Sequence, residues 1–136
     1  MSRFETKVTI RETHLDFFGH VNNATYMELF EEARWDLITK NGYGIPQILE
    51  YKKGPVVLDC HIRFVKELKA RDEITITVEH DLTPTKPNQK VFRLRQLMIN
   101  AKGEIACEAV YTYGLFDMQA RRLVEPTPEW RRAVGG

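Results

Sequence analysis

Asp16-Phe17-Phe18-Gly19-His20-Val21-Asn22-Asn23-Ala24-Thr25-Tyr26 places a carboxylate and an imidazole in a short glycine-containing turn that runs into an amphipathic helix. Asn22 or Asn23 can cap that helix. Beyond them Tyr26, Leu29, Phe30, Ala33 and Leu37 share one face, with Glu28, Glu31, Glu32 and Thr39 opposite. The period carries to about Lys40, and Asn41-Gly42 supplies the stop. A helix start offers free backbone N–H groups and the positive end of the macrodipole, so it can hold developing negative charge. A carboxylate facing such a donor is the minimum equipment for attack on an acyl carbonyl.

Outward from this stretch the period changes to two. Phe4 to Arg11 alternates apolar and polar residues and reads as a half-buried strand. After a Gly- and Pro-rich segment, Gly42 to Pro55, read as a loop with room for one short helix, four more strands follow. They cover Val56 to Lys66, Glu73 to Leu82, Lys90 to Asn100 and Glu104 to Phe116. In the first of these, Val56, Leu58, Cys60, Ile62 and Phe64 are expected on one face. Ala101-Lys102-Gly103 suits a hairpin, and Thr83 to Gln89 a longer loop. The order β-α-β-β-β-β predicts an α+β domain spanning 1–136. Its one long helix must bury its stripe against a curved, antiparallel five-stranded sheet.

Composition removes several classes of function. The formal net charge is +1, far from the basic excess of a nucleic-acid binder. Hydrophobic residues make up 43% and no run approaches a membrane span, so a cytoplasmic protein is expected. Cys60 and Cys107 lie far apart inside apolar segments and read as reduced core residues. The single serine, Ser2, forbids a G-x-S-x-G elbow. His14, Asp16 and His20 could supply three metal ligands, but they lack the helical spacing of a hydrolytic zinc site, and no metal is expected. Phosphate-loop and dinucleotide motifs do not occur. The doublets Arg121-Arg122 and Arg131-Arg132 read as a solvated tail. Asp16 is left as the principal candidate for a base or nucleophile, against the alternative of a carboxylate that merely caps the helix.

The run D-F-F-G-H-V-N-N-A-T-Y-M-E-L-F-E-E-A-R, Asp16 to Arg34, resembles the hotdog-fold acyl-CoA thioesterases of the 4-hydroxybenzoyl-CoA thioesterase type. Its H-V-N-N-x-x-Y portion is similar to the plant acyl-carrier-protein thioesterases. Ile62-Arg63-Phe64 and Ala70-Arg71-Asp72-Glu73 are similar to the family's next strand and turn. The resemblance implies that Asp16 attacks the thioester or activates water, and that the Asn23 backbone N–H polarises the carbonyl. Phe18 stands where the plant enzymes carry a catalytic Asn, so the resemblance makes His20 and Phe18 pocket residues, with Tyr26 beside them. It further implies a homodimer or dimer of dimers, acyl-CoA or acyl carrier protein as the thioester donor, and no cofactor beyond the CoA of the substrate. Arg63 is a candidate for the CoA phosphates. Two other classes share such a fold, an acyl-thioester hydratase or dehydratase and a non-catalytic acyl-binding module.

Overall fold

The computed structural model describes residues 3–135; Ser2 lies outside them. Helix α1 spans Asn23–Lys40. Asn22 stands just before it in extended conformation, and its side chain accepts the Ala24 N–H at 2.8 Å, so Asn22 is the cap and Asn23 the first helical residue. The stripe read from sequence is the buried one, with Tyr26, Leu29, Phe30, Ala33 and Leu37 joined by Ile38.

The strands are β1 (Phe4–Thr9), β2 (Lys53–Phe64), β3 (Glu73–Asp81), β4 (Val91–Ile99), β5 (Ile105–Asp117) and β6 (Arg122–Val124). The first five form one antiparallel path in the order β1-β3-β4-β5-β2, which puts the long β2 at an edge. Ile74, Ile76 and Val78 of β3, Phe92, Leu94 and Met98 of β4, and Ala109, Tyr111 and Tyr113 of β5 are buried with the helix stripe in one core. Among the described residues, no helix is long and apolar enough to cross a membrane.

Three expectations need correction. The sheet has six strands, not five, because β6 pairs with β5 beyond the point where β4 begins. Leu123 of β6 packs so closely on Gly114 that a Cβ there would meet Leu123 Cδ2 at 2.9 Å.

The C-terminal segment is not a solvated tail. Helix α3 (Pro128–Ala133) is capped by Thr127, whose hydroxyl accepts the Trp130 N–H at 3.2 Å. Trp130 is buried edge-on against Tyr43, with ring centroids 5.2 Å apart. Burial of the one large aromatic fixes the segment to the core, and its two neighbouring arginines keep contact with solvent, so their charge does not oppose it. The segment before β2 holds the one short helix expected there, α2 (Ile45–Tyr51), with Pro46 in its first turn, where a missing N–H costs nothing.

The third correction concerns β2. Its pairing with β5 steps from Val57↔Tyr113 to Asp59↔Thr112, so Leu58 is an extra residue. A bulge inverts the alternation on one side of itself. Cys60, Ile62 and Phe64 keep the expected inner face, but before the bulge Pro55 and Val57 face inward in place of Val56 and Leu58.

Candidate functional site

The Asp16 turn is assembled by short-range contacts. Leu15 and Val21 form an antiparallel bridge, and the Asp16 N–H donates to the His20 carbonyl at 2.8 Å. The Asn22 N–H donates to the His14 carbonyl at 3.1 Å, which fastens the turn to the helix start. Gly19 has φ +81°, a left-handed conformation that favours glycine. Asp16 Oδ1 accepts the N–H groups of Phe18 at 2.9 Å and His20 at 3.4 Å. Among the described residues Oδ2 has no protein donor. One carboxylate oxygen therefore holds the turn and the other remains available.

Asn23 is the first residue of an 18-residue helix, where the backbone N–H has no intrahelical acceptor. No acceptor meets it among the described residues. The cap is a different residue, Asn22, so the Asn23 side chain is not needed to start the helix. A free N–H, the positive end of a helix dipole and a free carboxylate oxygen are thus carried by one continuous stretch of eight residues.

The other candidates are placed differently. His20 is exposed, and its Nε2 lies 3.4 Å from Glu67 Oε1. Phe17 and Phe18 are 98% and 78% exposed at the tip of the turn, so within one chain Phe18 lines no pocket. Tyr26 is buried, its ring 4.9 Å from that of Phe64, and burial pushes its hydroxyl up to about 12. It acts as packing between α1 and β2. Arg63 is exposed on β2 opposite Glu108, and no hydrogen bond or ion pair joins it to the turn among the described residues. His14 Nδ1 accepts the Arg11 N–H at 2.9 Å, and no described group of three or more His, Cys, Asp or Glu is arranged to hold a metal ion. Cys60 and Cys107 are both free, and burial pushes the Cys107 thiol up to about 12, which keeps it a thiol at neutral pH.

A second polar assembly escaped the sequence reading. The inner face of the sheet carries His80 after Ile74, Ile76 and Val78, and Gln96 between Leu94 and Met98. Arg34 of α1 reaches this face. Its Nη1 donates to Gln96 Oε1 at 2.8 Å, and its guanidinium carbon lies 4.3 Å from the centroid of the Tyr111 ring. Gln96 in turn donates to the Phe30 carbonyl at 3.0 Å. Polar residues at core-phase positions were the available signal. His80, Arg34, Trp35, Tyr113 and Trp130 line a cavity of about 260 Å³ between α1, α3 and the sheet, and Val57 enters it because of the bulge. A larger depression of about 680 Å³ lies by Lys86, Lys90 and Arg93, at the end of the sheet remote from the pairing of Phe64 with Cys107.

Residues 8–134 match the thioesterase-like superfamily. The chain belongs to that family. It is 28% identical to the long-chain acyl-CoA thioesterase FadM of Escherichia coli (strain K12), over 96% of each chain. Among solved structures it is similar to a probable thioesterase, YbaW, from Escherichia coli, with a TM-score of 0.79 and 27% identity over 95% of this chain and 94% of the other. A hypothetical protein from Staphylococcus aureus, characterised in complex with CoA, shares the fold at a TM-score of 0.85 and 16% identity, over 98% and 82% of the two chains. These neighbours share the arrangement of a long helix against a curved antiparallel sheet, which is the hotdog fold.

Proposed function

We propose that this chain hydrolyses acyl-CoA thioesters at the Asp16 turn. The observation that carries the reading is the pairing of a free Asp16 Oδ2 with an unpartnered Asn23 N–H at the start of α1. The thioester carbonyl oxygen accepts the Asn23 N–H, which draws charge from the acyl carbon. Asp16 then attacks that carbon directly, or takes a proton from the water that does. Either route places an oxyanion at the helix start, where the N–H and the dipole stabilise it. Collapse breaks the C–S bond and releases CoA as thiolate, which is protonated by solvent. In the direct route water cleaves the resulting anhydride. The enzyme needs no cofactor in this scheme. Acyl carrier protein is a second possible donor of the same thioester, and a cytoplasmic setting belongs to the same reading.

The relationship to a long-chain enzyme supports a long acyl group. The homodimer, or a dimer of dimers, forms through β2. That strand is a 12-residue edge on which Val57, Leu58 and Phe64 are about half exposed, and long apolar edges are seldom left open. A second copy also gives the exposed Phe17 and Phe18 a surface to meet. Light scattering is expected to give a dimer or a tetramer, and a fully active species of 15.9 kDa would overturn this assembly.

Thiol release from a panel of acyl-CoAs tests the activity. Asp16→Asn keeps the size of the side chain and its acceptor oxygen but loses the basic carboxylate. It should lower kcat by about 10²-fold or more with an unchanged melting temperature. A drop smaller than about fivefold in a folded variant would remove Asp16 from the chemistry.

A further inference from the structure

The cavity beneath α1 is apolar in most of its lining but ends in hydrogen-bond donors that the protein itself leaves unused. His80 is 3% exposed, and its Nδ1 lies 2.6 Å from the Tyr113 hydroxyl. Tyr113 has no other acceptor among the described residues, so its O–H donates to Nδ1 and the imidazole keeps its proton on Nε2. Among the described residues that Nε2–H has no protein partner. Arg34 carries five N–H donors, of which one reaches Gln96. Among the described residues no carboxylate lies within 4.0 Å of its guanidinium, although Glu31 lines the same cavity.

His80 Nε2 and the half-buried Arg34 guanidinium open onto the cavity rather than being sealed in the core, where the Tyr111 hydroxyl is the unpartnered polar atom among the described residues. A ligand oxygen that accepts from such donors gains bonds that a plain hydrocarbon chain forgoes. Glu31 lines the same cavity, and its carboxylate would repel an anionic chain end, which favours a neutral oxygen over a carboxylate as the acceptor. A cavity of about 150 Å³ holds a benzene ring, so about 260 Å³ holds a good part of an acyl chain, yet less than a whole substrate. Arg34 follows Asn23 by eleven residues, about 16 Å along the helix axis. A short or single-ring acyl group anchored at Asn23 does not span that distance.

We infer that this cavity receives the far part of a long acyl group and selects chains carrying a hydroxyl or keto oxygen there, which accepts from Arg34 and His80. The inference rests on the thioesterase reading for the position of the carbonyl. Trp35, Trp130 and Val57 enclose the hydrocarbon, and the two donors fix the register of the chain.

The test compares hexadecanoyl-CoA, ω-hydroxyhexadecanoyl-CoA and ω-carboxyhexadecanoyl-CoA, with dodecanoyl counterparts. Each is measured as kcat/KM for the thioester and as Kd for the non-hydrolysable thioether. The hydroxylated member of at least one length should be favoured about tenfold or more in both measurements, because an unfilled donor discriminates against the plain chain. His80→Phe and Arg34→Met should each reduce that preference to about twofold or less. Equal Kd values across the set would overturn the inference, as would a preference for the carboxylate or a hydroxyl preference that survives both substitutions. Should either variant fail to fold, the wild-type ratios decide alone. Absence of thiol release would defeat the thioesterase reading instead, while the thioether affinities still judge the cavity.

Discussion

The Asp16 turn and the cavity beneath α1 both hold polar groups, yet they are built in opposite ways. The turn is local. Its hydrogen bonds join residues no more than eight apart in sequence, and its carboxylate stays close to solvent. The cavity draws on α1, β2, β3, β4, β5 and α3, and its histidine is almost wholly buried. A local turn carries reactive groups at little cost to the fold, because water still solvates them. Buried polar groups bear on stability directly, because every unmet donor is charged against folding. Substitutions at the turn should therefore change rate without stability, and substitutions around the cavity should change stability first.

The largest effect that tests this division is at Trp130, which touches His80, Tyr113 and Tyr43. Trp130→Ala should cost about 3–5 kcal/mol of unfolding free energy, a large part of a typical domain's stability. Denaturant unfolding measures it, and a loss below about 1 kcal/mol would mean that α3 is not part of the core. A smaller, pH-dependent effect should come from His80. Burial, reinforced by Arg34, holds its imidazole down at about 3, from 6.5. In that interval the unfolded chain binds a proton that the folded chain refuses. Stability is therefore full above about 6.5 and declines as the pH falls toward about 3. His80→Phe should flatten this acid limb of a melting profile, whereas Asp16→Asn should leave it in place. A profile identical in wild type and His80→Phe would show that burial of His80 does not set the acid limb.

The same contrast explains what was legible in the sequence. The turn, the helix and five of the six strands were read to within about three residues, because each is announced by its own period and its own end signals. The resemblance singled out Asp16 and Asn23, and the cap was narrowed to two neighbours. The cavity was not legible. Arg34, His80 and Gln96 lie far apart in the chain and meet only through strand register and the helix, so only their polarity at core-phase positions gave a hint. The bulge at Leu58 was invisible for a similar reason, since one apolar residue among several carries no mark of being extra. Helix α3 was hidden by its arginines, whose charge reads as a solvated tail, whereas Trp130 beside them is buried in the core.

In the proposed mechanism the helix start, rather than a side chain, holds the oxyanion opposite Asp16, and a pair of substitutions at Asn23 separates the two. Asn23→Ala removes the side chain and keeps the backbone N–H. Asn23→Pro removes the N–H at a position where proline is compatible with a first helical turn. The preceding Asn22 is already extended at φ −65° and ψ 143°, as a residue before proline prefers. Turnover of a long-chain acyl-CoA by both variants should therefore be measured once circular dichroism and melting temperature match the parent. Asn23→Ala should keep kcat within about tenfold, and Asn23→Pro should lose about 10²-fold or more, as when an oxyanion donor is removed. A folded Asn23→Pro enzyme with the parent's kcat would place the oxyanion hole elsewhere.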